Sequence, residues 1–395
     1  MRTYRLFDED ATNTTFTARV LECSPCDGRY AVVLDRTVFF PEGGGQAADT
    51  GVFSFLKETV RVLDVQEENG VITHYCDGSM PVWQEVTGTI DWDQRFARMQ
   101  AHTGEHIVSG LVHSLYGLDN IGFHLGDDDV TCDYNGDLTD EQLREVERRA
   151  NAAVVADLPI EVSFPDAATL ETLDYRSKLD LTSNVRIVTI PGVDVCACCA
   201  PHLDRTGKVG LIKIVGSEKA HGGTRLHLRS GFQALADYQE KQENILRIID
   251  LTSARQFETA DAVEKLYQQI ADLQHSLSQA QVRQGELAAE TVERTDGNAV
   301  AVLADAEPDA LRALANGGKL RCGGVFVALT NAGENGPDGY RYMITSGKEG
   351  LKLSALAKTF NEALNGRGGG KDDMIQGAFS ADLATIQNYF DNNTF

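Results

Sequence analysis

The sequence lacks long apolar runs and any excess of positive charge. No stretch approaches the roughly 18 apolar residues that a membrane-spanning helix requires, and the opening residues MRTYRLFDEDATNT lack the apolar core of a signal peptide. Lys and Arg number 36 against 59 Asp and Glu, which gives a net charge of −23. Because basic side chains must neutralise phosphates in nucleic-acid binding, this charge excludes a general nucleic-acid coat protein. We expect a cytoplasmic protein without a membrane partner, in which any nucleic-acid contact uses locally basic surface.

The pattern of apolar residues predicts an α+β multidomain chain. Its 395 residues suffice for several hydrophobic cores. Short alternating runs over residues 1–95 predict a small β-barrel-like domain, and a mixed α+β domain follows over 96–232. Residues 233–293 almost lack Gly and Pro and predict helix. Residues 294–395 return to an α/β pattern with a glycine-rich loop, NGRGGGKDDMIQG.

The predicted helical segment carries an apolar seam. Its members alternate at spacings of three and four: Val263, Leu266, Ile270, Leu273, Leu277 and Ala280. This spacing is typical of a coiled coil and favours a helical hairpin or a homodimer contact. A lone helix packed on its own domain is the alternative.

Two pairs of metal-binding residue types stand four positions apart. His102 and His106 lie in HTGEH, and Cys198 and His202 lie in CCAPH. On a helix, residues four apart share a face, so both imidazoles of the first pair can reach one ion at about 2.0–2.1 Å. A thiolate and a third imidazole would complete a tetrahedral set that suits Zn²⁺. We therefore predict a zinc site formed by these four residues.

Two other assignments fit the same stretches. Cys23 and Cys26 could join Cys196 and Cys199 in a structural four-cysteine zinc site. HTGEH also matches the H-x-x-E-H pattern of inverted zinc metallopeptidases, in which Glu105 would be the general base. A role for Glu105 as a mere support of an imidazole is equally compatible with its position beside His106.

Four blocks, in this order, resemble the alanyl-tRNA editing proteins of the AlaX family, which are relatives of the editing domain of alanyl-tRNA synthetase. The blocks are FFPEGGGQAADTG, RMQAHTGEH, CCAPH and GRGGGKDDMIQG, and together they span nearly the whole chain. The resemblance is to the long form of the family. It implies an N-terminal barrel, a zinc-bearing editing domain, a helical segment and a C-terminal domain similar to that of the synthetase.

The resemblance also implies roles for single residues. The family's zinc ligands fall on the four residues predicted above, although the family usually has Gly-Gly-Thr where this chain has Cys199-Ala200-Pro201. Cys196 and Cys199 then become neighbours of the site, with Cys199 as an alternative ligand. The family's glycine block lines the editing pocket, which makes the following residues candidates for contact with the aminoacyl group or the 3′ end of tRNA: Gly44, Gly45, Gln46 and Asp49. Arg225 stands at a usually basic position and is a candidate for contact with the terminal phosphates.

The implied reaction is hydrolysis of mischarged tRNA(Ala), chiefly Ser-tRNA(Ala) with Gly-tRNA(Ala) as a second substrate. A synthetase selects poorly against an amino acid that differs by one small group, so a second hydrolytic site is needed. Thr103 is our candidate for a polar group that bonds the serine hydroxyl, and a bond to its own helix is the alternative. Glu105, Thr103 and Gln46 are thus the predicted catalytic residues.

The last block predicts contact with tRNA. Asp372 follows Lys371, so GRGGGK is not a nucleotide-binding P-loop. Residues 340–371 contain six Lys or Arg against two Glu, a local charge of +4. This basic surface suits shape-based contact with folded tRNA, and the residues assigned to it are Arg367, Gly368, Gly369, Gly370 and Lys371. A non-catalytic tRNA-binding module with structural zinc is the third hypothesis, beside the hydrolase and the peptidase.

Overall fold

The structure is a computed structural model that describes residues 2–126, 129–177, 185–331 and 339–395. The chain divides into two units, Met1–Leu246 and Arg247–Phe395. The boundary falls inside the helical segment predicted from the sequence.

The first unit begins with a closed barrel of six strands in the order β2-β3-β7-β6-β5-β8. The strands of residues 4–90 are β1 (Tyr4–Arg5), β2 (Thr15–Cys26), β3 (Arg29–Leu34), β4 (Arg36–Thr37), β5 (Gly51–Phe55), β6 (Glu58–Glu68), β7 (Val71–Cys76) and β8 (Glu85–Ile90). Strand β8 buries every second residue, as expected for a strand with one face on the core. The predicted N-terminal barrel is therefore confirmed.

A long helix, α1 (Trp92–Tyr116), follows the barrel. The side chain of Asp91 caps its first turn, and Gly117 ends it in the left-handed conformation with φ of 66°. All residues from Met99 to Val112 are buried, although several of them are polar. Because buried polar groups require partners, this stretch of α1 is where a functional site is expected.

The remainder of the first unit contains two small sheets and further helices, and the last helix continues past the unit boundary. These elements are β9 (Asn120–Leu125), β10 (Val130–Tyr134), α2 (Asp140–Val155), β11 (Glu161–Ser163), α3 (Ala167–Leu170), β12 (Ile187–Ile190), β13 (Asp194–Ala197), β14 (Ile212–Ala220), β15 (Gly223–Ser230) and α4 (Gly231–Thr252). The sheet orders are β14-β15-β10-β9 and β11-β12-β13. The predicted mixed α+β character of this part is confirmed.

The second unit contains a five-stranded sheet in the order β16-β17-β18-β20-β19. Its elements are α5 (Thr259–Thr291), β16 (Ala299–Val302), α6 (Pro308–Gly318), β17 (Val325–Asn331), β18 (Tyr340–Ser346), α7 (Leu353–Ala363), β19 (Gly366–Lys371), β20 (Met374–Phe379) and α8 (Leu383–Asn392). Residues of β17 alternate between a core that includes α7 and α8 and a core that includes α6. Burial on both faces explains why this strand is almost entirely apolar.

The prediction of a glycine-rich loop at NGRGGGKDDMIQG is wrong. Residues Gly366–Lys371 form the edge strand β19, which pairs antiparallel with β20 throughout its length. Only Asp372 and Asp373 lie between the two strands. The low strand propensity of glycine is overridden here by pairing with the more apolar partner strand.

The apolar seam lies on α5, which confirms the helix but not a coiled coil. Five of its members, from Val263 to Leu277, are between 37% and 69% exposed. Pairing of this seam with another helix remains a prediction. Among the described residues, no helix has the length and apolar character needed to cross a membrane.

Candidate metal centre

Helix α1 places His102 and His106 one turn apart in the buried part of the first unit. Their ring centroids are 5.2 Å apart, and both side chains are almost completely buried. Cys198 and His202 lie in the segment that follows β13. The ring of His202 is 4.6 Å from that of His102 and 4.5 Å from that of His106. The structure therefore brings the two predicted pairs together.

Hydrogen bonds hold the segment that carries Cys198 and His202 in place. The Cys198 N–H donates to the carbonyl oxygen of Arg186, and Nη1 of Arg186 donates to the carbonyl oxygens of Cys198 and Ala200. The Leu203 N–H donates to Oγ1 of Thr103 on α1, which ties the end of the segment to the helix. These contacts fix the position of the segment relative to α1.

The spacing of the four side chains fits one ion. One ligand atom from each of His102, His106, Cys198 and His202 lies within 4.8 Å of all the others. Sγ of Cys198 is 3.5 Å from Nε2 of His102 and 3.3 Å from Nε2 of His202. Ligands held tetrahedrally at the usual Zn–N and Zn–S distances stand about 3.3–3.6 Å apart. The residues present therefore suit zinc in donor type and in spacing.

The other ring nitrogen of each histidine faces a polar atom. Nδ1 of His102 donates to Oε1 of Gln46 at 3.1 Å, and Nδ1 of His106 donates to Oδ2 of Asp194 at 3.0 Å. Nδ1 of His202 is 3.3 Å from Oγ1 of Thr103. An acceptor at Nδ1 leaves the lone pair on Nε2, which is the tautomer that a metal ligand requires.

Burial and neighbouring groups shift the pKa values of three of the candidate ligands. Burial by itself raises the pKa of the Cys198 thiol, but the imidazoles of His102 and His202 hold it well below its ordinary value. Burial, assisted by repulsion from His106, lowers the pKa of His202 to about 3. Burial by itself lowers the pKa of His106, but its hydrogen bond to Asp194 raises that pKa well above its ordinary value. The shifts at Cys198 and His202 are therefore in the direction of the metal-binding forms, whereas the shift at His106 is in the opposite direction.

A cavity of about 1070 Å³ opens beside the cluster. Its lining includes His102, His106, Cys198 and Glu105. Oε1 of Glu105 accepts from the Ser109 hydroxyl at 2.5 Å and from Nδ2 of Asn120 at 2.6 Å, and Oε2 is 3.9 Å from Nε2 of His106. Glu105 is therefore held at the boundary between the cluster and the cavity. Cavities of this size accommodate small organic ligands.

Gly44 and Gly45 form a tight turn that lines the same cavity. The flanking residues Gly43 and Gln46 exchange two backbone hydrogen bonds, and both central glycines have positive φ, 60° and 81°. A Cβ on Gly45 would lie 2.7 Å from the ring of Phe123. Only glycine fits there without a shift of the ring, so the backbone reaches the cavity wall. The predicted pocket position of these glycines is compatible with this arrangement.

Three residues predicted to bind the substrate or to take part in catalysis contact other groups of the protein: Asp49, Arg225 and Thr103. Both carboxylate oxygens of Asp49 contact Arg95 in a fully buried ion pair. Arg225 is paired with Asp133 through two hydrogen bonds of 2.7 and 2.8 Å. Thr103 is fully buried, and its hydroxyl contacts His202 and the backbone of Leu203. The structure thus shows the first two in ion pairs within the chain and places Thr103 behind a candidate ligand, and their roles toward a substrate stay predictions.

The other candidate residues lie outside the cluster of His102, His106, Cys198 and His202. Among the described residues, Cys23 and Cys26 belong to no group able to share an ion with Cys196 and Cys199, which disfavours the four-cysteine site. Cys196 and Cys199 do line the cavity, as neighbours of the four candidate ligands. The predicted tRNA contacts, residues 367–371, lie on β19 in the second unit, where Gly368, Gly369 and Gly370 border a groove of about 510 Å³ with α7.

Comparisons with known proteins assign the family. Residues 185–227 match the model of the threonyl and alanyl tRNA synthetase second additional domain, residues 11–94 match that of class II (A) tRNA synthetases, and residues 296–391 match the DHHA1 domain. The chain belongs to the alanyl-tRNA synthetase-related proteins and is AlaX-like. The model for the second additional domain covers the segment with Cys198 and His202, so the candidate metal centre lies partly within it.

The AlaX-like chain is similar to curated alanine–tRNA ligases of archaea. It is 33% identical to that of Halobacterium salinarum over 85% of this chain and 38% of the ligase. It is 30% identical to that of Pyrobaculum neutrophilum over 98% of this chain and 44% of the ligase. The chain therefore spans less than half the length of these relatives. A solved structure, the C-Ala domain of Aquifex aeolicus alanyl-tRNA synthetase, matches 24% of this chain and 87% of that domain, with 19% identity and a TM-score of 0.20.

Several residues around the centre of the AlaX-like chain have no role in the sequence analysis. Asp194 accepts a hydrogen bond from His106 and is itself held by Arg176, and Ser109 and Asn120 hold Glu105. Two features of the sequence could have identified some of these residues. Ser109 stands four positions after Glu105 on one helix, and a carboxylate near a metal-binding segment is the usual partner of a ligand imidazole.

Proposed function

We propose that this chain is a trans-acting hydrolase that deacylates mischarged tRNA(Ala), chiefly Ser-tRNA(Ala), with Gly-tRNA(Ala) as a second substrate. The observation that carries the proposal is the His102, His106, Cys198 and His202 cluster at the end of a cavity that Glu105 also lines. Family membership supplies the substrate class, since the curated relatives are alanine–tRNA ligases.

The proposed reaction is attack of water on the ester between the amino acid and the terminal ribose. When bound, zinc would polarise the ester carbonyl and lower the pKa of water. His102, His106, Cys198 and His202 would hold the ion, and a separate group is needed to accept the proton of the attacking water. Glu105 takes the proton from the attacking water, the ester C–O bond breaks, and the ribose oxygen leaves as a hydroxyl with that proton.

The cavity gives these residues a sheltered place to act. The turn at Gly44 and Gly45 forms one wall with backbone alone, and Phe123 stacks on the ring of His102 at 5.0 Å. Selection of serine over alanine requires a polar group at the serine hydroxyl. Thr103 stays our prediction for this group, and it would have to act with its hydroxyl beside Nδ1 of His202.

Deacylation of Ser-tRNA(Ala) by the wild-type chain and by Cys198→Ala tests the proposal. We expect turnover by the wild type, and a loss of about 100-fold or more in kcat together with loss of zinc in the variant, because the thiolate is the only anionic ligand. Peptide cleavage without deacylation would favour the peptidase hypothesis. Binding of tRNA with no turnover would favour the non-catalytic module.

We also propose that β19 contacts the tRNA backbone. Arg367 and Lys371 are exposed at the two ends of three glycines, and Lys358 lines the adjoining groove. Without side chains on the glycines, a phosphate can approach the strand closely. Arg367→Ala with Lys371→Ala should lower the slope of log affinity against log salt by about 2, whereas Lys57→Ala in the barrel should leave it unchanged. An unaltered slope in the double variant would refute this contact.

A homodimer through α5 remains a further proposal. The exposed seam from Val263 to Leu277 supports it, because exposed apolar side chains at coiled-coil spacing commonly pack against another helix. The molecular mass in solution tests the homodimer. Leu273→Lys should convert a dimer to a monomer. A wild-type chain that is already monomeric would exclude the homodimer.

A further inference from the structure

A buried ion pair stands against the candidate ligand His106. Nε and Nη2 of Arg176 donate to Oδ1 and Oδ2 of Asp194 at 2.7 and 2.9 Å. The same Oδ2 accepts the hydrogen bond from Nδ1 of His106 at 3.0 Å. The side chains of Asp194 and His106 are 1% and 4% exposed, and that of Arg176 is 13% exposed. A guanidinium, a carboxylate and an imidazole thus form a continuous buried chain that ends at the metal-facing Nε2.

Backbone contacts on two sides hold the Arg176, Asp194 and His106 side chains in place. The Arg176 N–H donates to the carbonyl oxygen of Val195, and the Ala197 N–H donates to the carbonyl oxygen of Arg176, at 2.8 and 2.9 Å. On the other side, Gly110 lies on α1 one turn after His106. A Cβ there would be 2.6 Å from Cβ of Asp194, so the missing side chain lets the carboxylate reach the helix.

A second metal ion is the rival interpretation of the same residues. One ligand atom from each of His106, Asp194 and Cys196 also falls within 4.8 Å of the others. However, Arg176 binds both oxygens of Asp194, and its positive charge would oppose a cation at this position. The carboxylate is therefore already neutralised by a protein group.

We propose that Arg176 and Asp194 are positioning residues that fix His106 as a metal ligand. This inference rests on the metal centre of the proposed function. Asp194 holds the proton on Nδ1 of His106 and raises the basicity of Nε2, which strengthens the bond to the ion. Arg176 orients the carboxylate through a two-pronged contact and balances its charge in a site where an unpaired charge would be costly.

Zinc affinity of the full chain, measured by competition with a chromogenic chelator, tests the inference. Asp194→Asn keeps the shape of the side chain, and we expect it to weaken zinc binding by about 10–100-fold. Arg176→Lys keeps the charge but loses the two-pronged contact, so its affinity should lie between that of the wild type and that of Asp194→Asn.

The chain offers a matched control in Asp133→Asn. Asp133 accepts from Arg225 with the same atom pairing and nearly the same distances, 2.7 and 2.8 Å, but belongs to no candidate metal group among the described residues. We expect this variant to bind zinc with wild-type affinity. Circular dichroism shows whether each variant retains its fold.

Three results would overturn the inference in distinguishable ways. Wild-type affinity in a folded Asp194→Asn variant would show that the ion pair does not position the ligand. Two zinc ions in the wild type and one in Asp194→Asn would establish the rival second metal site. A wild-type chain that binds no zinc would refute the metal centre itself, and with it the zinc part of the proposed function.

Discussion

Glu105→Gln is expected to lower kcat for hydrolysis of Ser-tRNA(Ala) by about 10²- to 10⁴-fold while zinc stays bound. The amide keeps the size of the side chain and can still accept from Ser109 and Asn120, which contact Oε1 in the wild type. It cannot take a proton from water. Single-turnover deacylation, with zinc measured in the same sample, separates the loss of a base from the loss of the ion.

Glu9→Gln is the control for this change. Glu9 lines the same cavity, where its Oε1 accepts from the Tyr4 hydroxyl, and it belongs to no candidate metal group among the described residues. It removes one negative charge from the cavity without removing the proposed base, so kcat should change little. Comparable turnover in Glu105→Gln and the wild type would show that Glu105 only supports the site.

The spacing of residues along α1 predicted one pair of the candidate metal centre, because that spacing depends only on local helix geometry. The one-turn separation of His102 and His106 follows from helix periodicity alone. The proximity of Cys198 and His202 to them does not follow from spacing. It depends on contacts between α1 and the segment after β13, such as that of the Leu203 N–H with Thr103. Matching donor chemistry, not geometry, joined the two pairs in the sequence analysis.

Two candidate substrate-binding residues form ion pairs that the sequence analysis did not predict, because their partners stand far along the chain. Asp49 and Arg225 were candidates for substrate contacts because the resemblance to the AlaX family places them at a pocket-lining block and at a usually basic position. Their partners, Arg95 and Asp133, stand 46 and 92 positions away. No local pattern reveals such pairs, since strand register and barrel closure bring them together.

The edge strand β19 shows a different limit. A run such as GRGGGK has almost no strand propensity of its own, so local reasoning predicts a loop. The structure forms a strand because β20 supplies a complete antiparallel ladder and the two aspartates allow a tight connection. The correction alters the proposed tRNA contact, because exposed backbone on an ordered edge strand presents donors at fixed positions.

Asp49→Ala is expected to lower the free energy of unfolding of the first unit by about 3–5 kcal/mol. Nε of Arg95 is 3.0 Å from both carboxylate oxygens, and Nη2 also donates to the carbonyl oxygen of Val38 at 2.7 Å. Oδ2 of Asp49 accepts from the Phe40 N–H at 2.7 Å. Removal of the carboxylate would leave the Arg95 guanidinium buried at 0% exposure without its counterion.

Urea denaturation of Asp49→Ala, Arg95→Met and the double variant measures this effect. The double variant should recover much of the loss, because a buried ion pair costs more to break than to replace by apolar groups. If Asp49 instead contacts the substrate, the single variant should raise KM for Ser-tRNA(Ala) and leave the free energy of unfolding unchanged. The ion pair also joins α1 to the segment that carries Gln46, whose amide oxygen accepts from His102. Loss of Asp49 should therefore weaken zinc binding as a secondary effect, and recovery in the double variant should restore it.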